Sequence, residues 1–144
     1  MDNPHRLLLG EILIKRKRLT QEQLNHALEV QRKENGFVGE ILVKLGYLDE
    51  RDIVVALVVQ LSLPYIAVNK YTIDDAVVKL IPKDVAQKER IIALDRIGDI
   101  LSVVMANPLS EERKQFLESL TKCRVATFIS TKTEIEEAIA RHYQ

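Results

Sequence analysis

The sequence predicts an α+β protein. A tandem helical repeat of about four helices is expected over residues 1–63, followed by a small three-stranded α+β half over residues 64–144. Three observations predict this. An apolar block at helical spacing recurs once at a fixed offset. Capping residues stand where the recurring helices would start. Beyond Pro64 the pattern turns to short β-branched runs separated by turn residues.

The repeat is direct. Gly10-Glu11-Ile12-Leu13 returns as Gly39-Glu40-Ile41-Leu42, an offset of 29 residues. At the same offset Lys15 matches Lys44, Leu19 matches Leu48, Ala27-Leu28 matches Ala56-Leu57, and Val30-Gln31 matches Val59-Gln60, with Leu24 aligned to Ile53. Each unit reads as helix, tight turn, helix. Leu8, Leu9, Ile12 and Leu13 share one helical face. Thr20 with Gln23 forms a capping box before a helix whose Leu24, Ala27, Leu28 and Gln31 share a face. In the second unit Phe37, Ile41 and Leu45 make the stripe, and Gly46 suits the left-handed end of that helix. Asp49 and Asp52 cap the next helix, Glu50 to Leu61, whose many Val and Ile residues make it the most buried of the four. Pro64 stops it.

In the second half, Asp74 to Leu80 reads as a short helix and Pro82 opens another, to about Lys88. Residues Arg90 to Leu94 and Ile100 to Met105 form a hairpin around the turn Asp95 to Asp99. Asn107-Pro108 ends the second strand. Ser110 caps a helix to Thr121, with Arg113 where a capping glutamate is preferred. Arg124 to Ile129 is the third strand, and Thr131 or Thr133 starts a last helix to His142. The boundary at Leu63 to Lys70 is short and partly apolar, so the halves are expected to pack together as one unit.

Composition excludes several functions. Lys plus Arg is 21 and Asp plus Glu is 21, so no global basic field exists for a nucleic acid polymer. The apolar run Ile53 to Leu63 is too short to span a bilayer, and the N-terminus lacks the plan of a signal peptide. The single cysteine, Cys123, rules out an intrachain disulfide framework and suits a reducing cytoplasm. It begins a strand and reads as a buried thiol. His5, His26 and His142 are scattered, so no metal site is expected. Phosphate-loop and nucleophile-elbow motifs are both missing, and Asp74-Asp75 and Glu136-Glu137 point in diverging directions on helices. The expectation is a non-enzymatic chain without a cofactor.

The tandem Gly-Glu-Ile-Leu units, each followed by a Leu-x-x-Ala-Leu-x-x-Gln helix, resemble the N-terminal domain of the type II secretion and type IV pilus ATPases, the GspE and MshE family. Gln60-Leu61-Ser62-Leu63-Pro64-Tyr65, Ile81-Pro82, Ile91-Ile92-Ala93-Leu94 and Val103-Val104-Met105-Ala106-Asn107-Pro108-Leu109 are similar to that family in order along nearly the whole chain. The resemblance implies a domain ahead of a motor ATPase that docks a component of the secretion or pilus machinery. For the MshE-type members it also implies cyclic di-GMP held along the repeat. The positions it carries over in the first repeat are Gly10, Leu13, Leu24, Leu28 and Gln31, with Leu9 beside the glycine and Arg6, two residues upstream of the arginine position, as the candidate substitute for that arginine. In the second they are Gly39, Leu42, Ile53, Leu57 and Gln60.

The chain departs from the ligand-binding pattern in four places. Leu8 and Phe37 stand where an arginine precedes each glycine, Lys17 replaces the first turn glycine, and Asn107 replaces an aspartate. Gly10 and Gly39 serve either a ligand or close helix contact. Gln31 and Gln60 serve either a base or phosphate, or a solvated helix end. Lys15, Arg16, Lys17 and Arg18 either dock an acidic partner or complement the dipole of the helix they end. The function expected is a non-catalytic regulatory or adaptor domain working through protein–protein contacts, with a cyclic di-GMP receptor as the alternative.

Overall fold

The computed structural model describes residues 4–143, with side chains described from Leu9 onward. The chain divides into two compact units, Met1–Ser62 and Leu63–Gln144.

The first unit holds four helices: α1 Pro4–Lys15, α2 Gln21–Glu34, α3 Val38–Lys44 and α4 Glu50–Leu61. Both expected capping boxes form. The Thr20 hydroxyl accepts from the Gln23 N–H while the Gln23 side chain accepts from the Thr20 N–H, and Asp49 and Asp52 do the same. Each box satisfies two amides that the first turn would leave open. The stripe on α3 is shifted from the expected Phe37, Ile41 and Leu45. The buried set is Val38, Gly39, Ile41 and Leu42, with Phe37 and Leu45 half-buried. Phe37 sits outside the helix as its N-cap, so its side chain does not continue the helical face.

Each repeat's first helix packs on the other repeat's second helix: α1 lies against α4, and α3 against α2. Exchanging the repeats sends α1 to α3 and α4 to α2, so it sends one of these contacts onto the other. The two repeats therefore share a core across these contacts, to which α3 and α4 add a contact of their own.

The second unit is built on a three-stranded mixed sheet in the order β1-β2-β3, with β1 Ile91–Ile97, β2 Ile100–Met105 and β3 Arg124–Ile129. β1 pairs antiparallel with β2, and β2 pairs parallel with β3 through α7, Glu111–Thr121. The remaining helices are α5 Asp75–Val78, α6 Lys83–Glu89 and α8 Lys132–His142. Ile91, Ile92, Ala93, Val103, Val104 and Met105 are all buried, so this part of the sheet is covered on both faces.

Two local readings are corrected here. The hairpin turn is only Gly98-Asp99, because β1 runs on to Ile97 opposite Ile100, and Gly98 takes φ +61. A register shift between Ala93 and Asp95 lets β1 continue through residues that look like turn formers. Arg90 does not begin the strand: it ends α6 in the left-handed conformation at φ +57. The boundary segment also has a use. Tyr65 bridges Ile129 in parallel, with Ile66 N–H donating to Ile129 O and Ile129 N–H donating to Pro64 O, so residues 64–66 line the outer edge of β3.

The end of α8 is tied to the chain before α6. Ile73 N–H donates to His142 Nε2 at 3.1 Å. The ring proton is then on Nδ1, which faces Ala138 O at 3.0 Å. The Tyr143 hydroxyl lies 2.9 Å from Val78 O and 2.5 Å from Ile81 O. Burial pushes the Tyr143 phenol up from 10.0 to about 12. Cys123 is buried, with its Sγ 3.4 Å from Thr121 O. Ser110 caps α7 as expected. Arg113 cannot reciprocate as a glutamate would, and instead pairs with Glu89 at 2.6 Å and lies over the Phe116 ring.

Candidate functional site

The candidate ligand positions all lie in the helical repeat, on α1 to α4, and the structure sorts them by exposure. Leu9, Leu13, Leu24, Leu42, Ile53 and Leu57 are core residues, and Leu42 and Leu57 have no exposed surface. Gly10 and Gly39 are buried as well. A Cβ built on Gly10 would stand 2.7 Å from a Leu24 methyl, so this glycine admits the neighbouring helix's side chain. The close-contact reading of Gly10 is thus realised in the fold. The Arg6 and Leu8 side chains fall outside the described residues.

Leu28, Gln31 and Gln60 are only partly buried. The Gln31 amide donates to Gly36 O at 2.8 Å, which uses it to hold the turn from α2 into α3. Gln60 keeps its Oε1 buried at the end of α4. The repeat-matched pair Leu28 and Leu57 is therefore unequal: one offers surface and the other does not. On the solvent side of α2, Glu22, Asn25, His26, Leu28, Glu29 and Arg32 line a shallow groove of about 560 Å³. Leu28 is the one candidate ligand position among these lining residues.

The basic run is exposed at all four positions. Lys15 is the last residue of α1, where a cation favours the helix dipole. Arg18 reaches Asp52 on α4 at 3.7 Å. Tyr47, which stands at Arg18's offset in the second repeat, meets His26 Nδ1 on α2 at 2.6 Å. Each inter-helix turn thus touches the other repeat's second helix. Sequence reasoning missed Tyr47 and Asp52 as partners, although the offset that aligns Arg18 with Tyr47 was the available signal.

Among the described residues there is no group of three or more His, Cys, Asp or Glu side chains able to hold a metal ion. No helix among them is long and apolar enough to cross a membrane.

Comparison with known proteins places this geometry in a family. The chain is 32% identical over 135 residues to the type IV pilus assembly ATPase PilB of Myxococcus xanthus, and 32% identical over 137 residues to PilB of Thermus thermophilus. Each match covers 94% of this chain but only 24% and 15% of those ATPases, so the chain spans a quarter of their length or less. Among solved structures it is similar to MshE with cyclic di-GMP, at 27% identity and a TM-score of 0.74 over 94% of this chain and 98% of that one. The N-terminal domain of XpsE shares the fold at 18% identity and a TM-score of 0.83 over the full length of both chains. The MshEN domain model matches residues 61–144, beyond every candidate ligand position. That match takes in the whole mixed sheet and more than half of the sequence, and the chain belongs to the MshEN domain family.

Proposed function

We propose that this chain is a non-catalytic regulatory or adaptor domain of a bacterial type IV pilus or type II secretion ATPase, working in the cytoplasm through protein–protein contacts. The observation that carries this reading is the fate of the candidate ligand side chains. Leu13, Leu42 and Leu57 fill the core of the helical unit, while Lys15, Arg16, Lys17 and Arg18 stand in solvent. Buried leucines stabilise a fold and leave a ligand little to touch, whereas exposed cations at a turn can meet an acidic surface. The resemblance to PilB across 94% of the chain supplies the setting. The partner is the motor ATPase or another component of the same machinery. Co-elution of the purified chain with these components at low and high salt tests the proposal. A chain that binds none of them at either salt would overturn it.

A second reading, a cyclic di-GMP receptor, is favoured by the likeness to the MshE structure solved with that nucleotide. Leu28, Gln31 and Gln60 keep partial exposure and support it. Calorimetric titration with cyclic di-GMP, with GTP as control, separates the two readings.

A further inference from the structure

We propose that the Asn35–Gly36 junction between the two repeats is a site of spontaneous covalent modification, at which Asn35 converts to aspartate and isoaspartate. The proposal is independent of the functional reading above. Asn35 follows the last residue of α2 and has φ 63° and ψ −167°. That region is populated almost only by glycine, and holding another residue there is strained. The strain is maintained by neighbours. Asn35 N–H donates to Gln31 O at 2.8 Å, and the Gln31 side chain grips Gly36 O at 2.8 Å.

The reacting groups are free to meet. Asn35 and Gly36 are both exposed. Nothing lies within 4 Å of where a Cβ on Gly36 would stand, and Gly36 itself takes φ +97. Among the described residues, neither the Asn35 side-chain amide nor the Gly36 N–H has a hydrogen-bond partner. The Gly36 nitrogen gives its proton to solvent base and attacks Asn35 Cγ. A Cγ–N bond forms, the Cγ–Nδ2 bond breaks, and ammonia leaves with a proton from solvent. The product is a five-membered succinimide. Water then opens it at Cγ to give aspartate, or at the main-chain carbonyl to give isoaspartate, in which the backbone runs through Cβ and Cγ. The balance is one water consumed and one ammonia released, without any redox step. Either product places a negative charge at the C-terminal end of α2, where the helix dipole disfavours it.

The other asparagines serve as internal controls. Asn25 lies within α2 and Asn69 within a 3₁₀ turn. Asn3 and Asn107 precede prolines, whose nitrogen has no proton to lose. The test is to incubate the purified chain at neutral and mildly alkaline pH, then follow each asparagine by peptide mass mapping with chromatographic separation of isoaspartate. Conversion at Asn35 should run about five- to 150-fold faster than at Asn25 or Asn69, the range to which roughly 1–3 kcal/mol of released strain corresponds. The rate should rise with pH. It should fall when the chain is unfolded in urea, where the strain is absent. Equal rates at the three sites, or faster conversion at Asn35 in the unfolded chain, would overturn the proposal. Asn35→Gly should remove the fast phase of ammonia release and raise the melting temperature; a lower one would show that the backbone there is unstrained.

Discussion

Lys17 and Gly46 occupy the same left-handed position at the ends of the two first helices, at φ 60° and φ 81°. Around Lys17, its N–H donates to Ile14 O and Arg18 N–H donates to Leu13 O. Around Gly46, its N–H donates to Val43 O and Tyr47 N–H donates to Leu42 O. Both helices therefore close by the same pair of bonds, although the first repeat lacks the glycine that makes the position inexpensive. A lysine there carries a conformational cost of about 1–2 kcal/mol, partly offset because glycine loses more freedom on folding. Lys17→Gly should raise stability by roughly 0.5–1 kcal/mol in urea unfolding, and Gly46→Ala should lower it by about 1 kcal/mol. A Lys17→Gly variant that unfolds more readily would show that the lysine side chain contributes more than its backbone costs.

Tyr143→Phe should report the tie between the end of α8 and the α5–α6 turn. At neutral pH, loss of the hydroxyl leaves Val78 O and Ile81 O without that donor, which should cost about 1–2 kcal/mol. The pH dependence follows from the raised phenol. The folded chain holds the proton more tightly than the unfolded chain, so the contribution is complete below pH 10.0 and is lost as pH climbs towards about 12. The stability difference between wild type and variant should be constant from pH 7 to 9 and shrink above 10. A gap that widens above pH 10 would refute the assignment.

Most elements were legible where a local rule acts alone. Thr20 and Gln23, Asp49 and Asp52, and Gly46 each announce a helix end through chemistry within one turn. What was hidden depends on residues far apart in sequence. Asp95 and Arg96 look like turn formers, yet they pair with Ser102 and Leu101 because β2 holds them in register. Tyr65 reads as linker and becomes an edge partner of β3 only when Ile129 is beside it. The candidate site shows the same division. The repeat reveals which positions are equivalent, but exposure is set by tertiary packing, which leaves Leu28 partly open and closes its mate Leu57.

That inequality is testable. Leu57→Ala should destabilise the chain by about 2–5 kcal/mol, as for a fully buried leucine whose site cannot collapse. Leu28→Ala should cost only about 1 kcal/mol, because part of its surface already faces water. Urea unfolding of both variants, with and without cyclic di-GMP, separates core from contact. Equal losses at the two positions would erase the distinction drawn here.

The receptor reading makes a sharper demand at position 8. If cyclic di-GMP binds as the family resemblance implies, restoring the arginine by Leu8→Arg should add a charge-assisted hydrogen bond. Such a bond contributes roughly 1.5–3 kcal/mol, which is about tenfold or more in affinity. Calorimetric titration of wild type and variant measures the change directly. Tight wild-type binding that does not respond to the substitution would show a site built on other residues.

The basic run provides the test of the adaptor reading. Arg18 is partly engaged by the half-buried Asp52, but the arginine end of that pair lies in solvent at 3.7 Å and the pair contributes at most about 1 kcal/mol. Lys15 gains a few tenths of a kcal/mol from the dipole of α1, roughly 0.3–1. Neither term accounts for four adjacent cations, which repel one another unless something outside the chain neutralises them. A variant with Lys15→Gln, Arg16→Gln and Lys17→Gln, keeping Arg18 and its contact with Asp52, isolates the exposed charges from the internal one. If the run docks an acidic surface, this variant should lose partner binding while its melting temperature stays within a few degrees of wild type. Wild-type binding should also weaken with salt, because the Debye length falls to about 3 Å at 1 M. Co-elution with the motor ATPase at two salt concentrations, beside a melting curve, reads both quantities. Capture that ignores both the substitutions and the salt would remove these cations from the interface. The docking surface would then have to be sought at the exposed apolar positions of α4, Val55 and Val59.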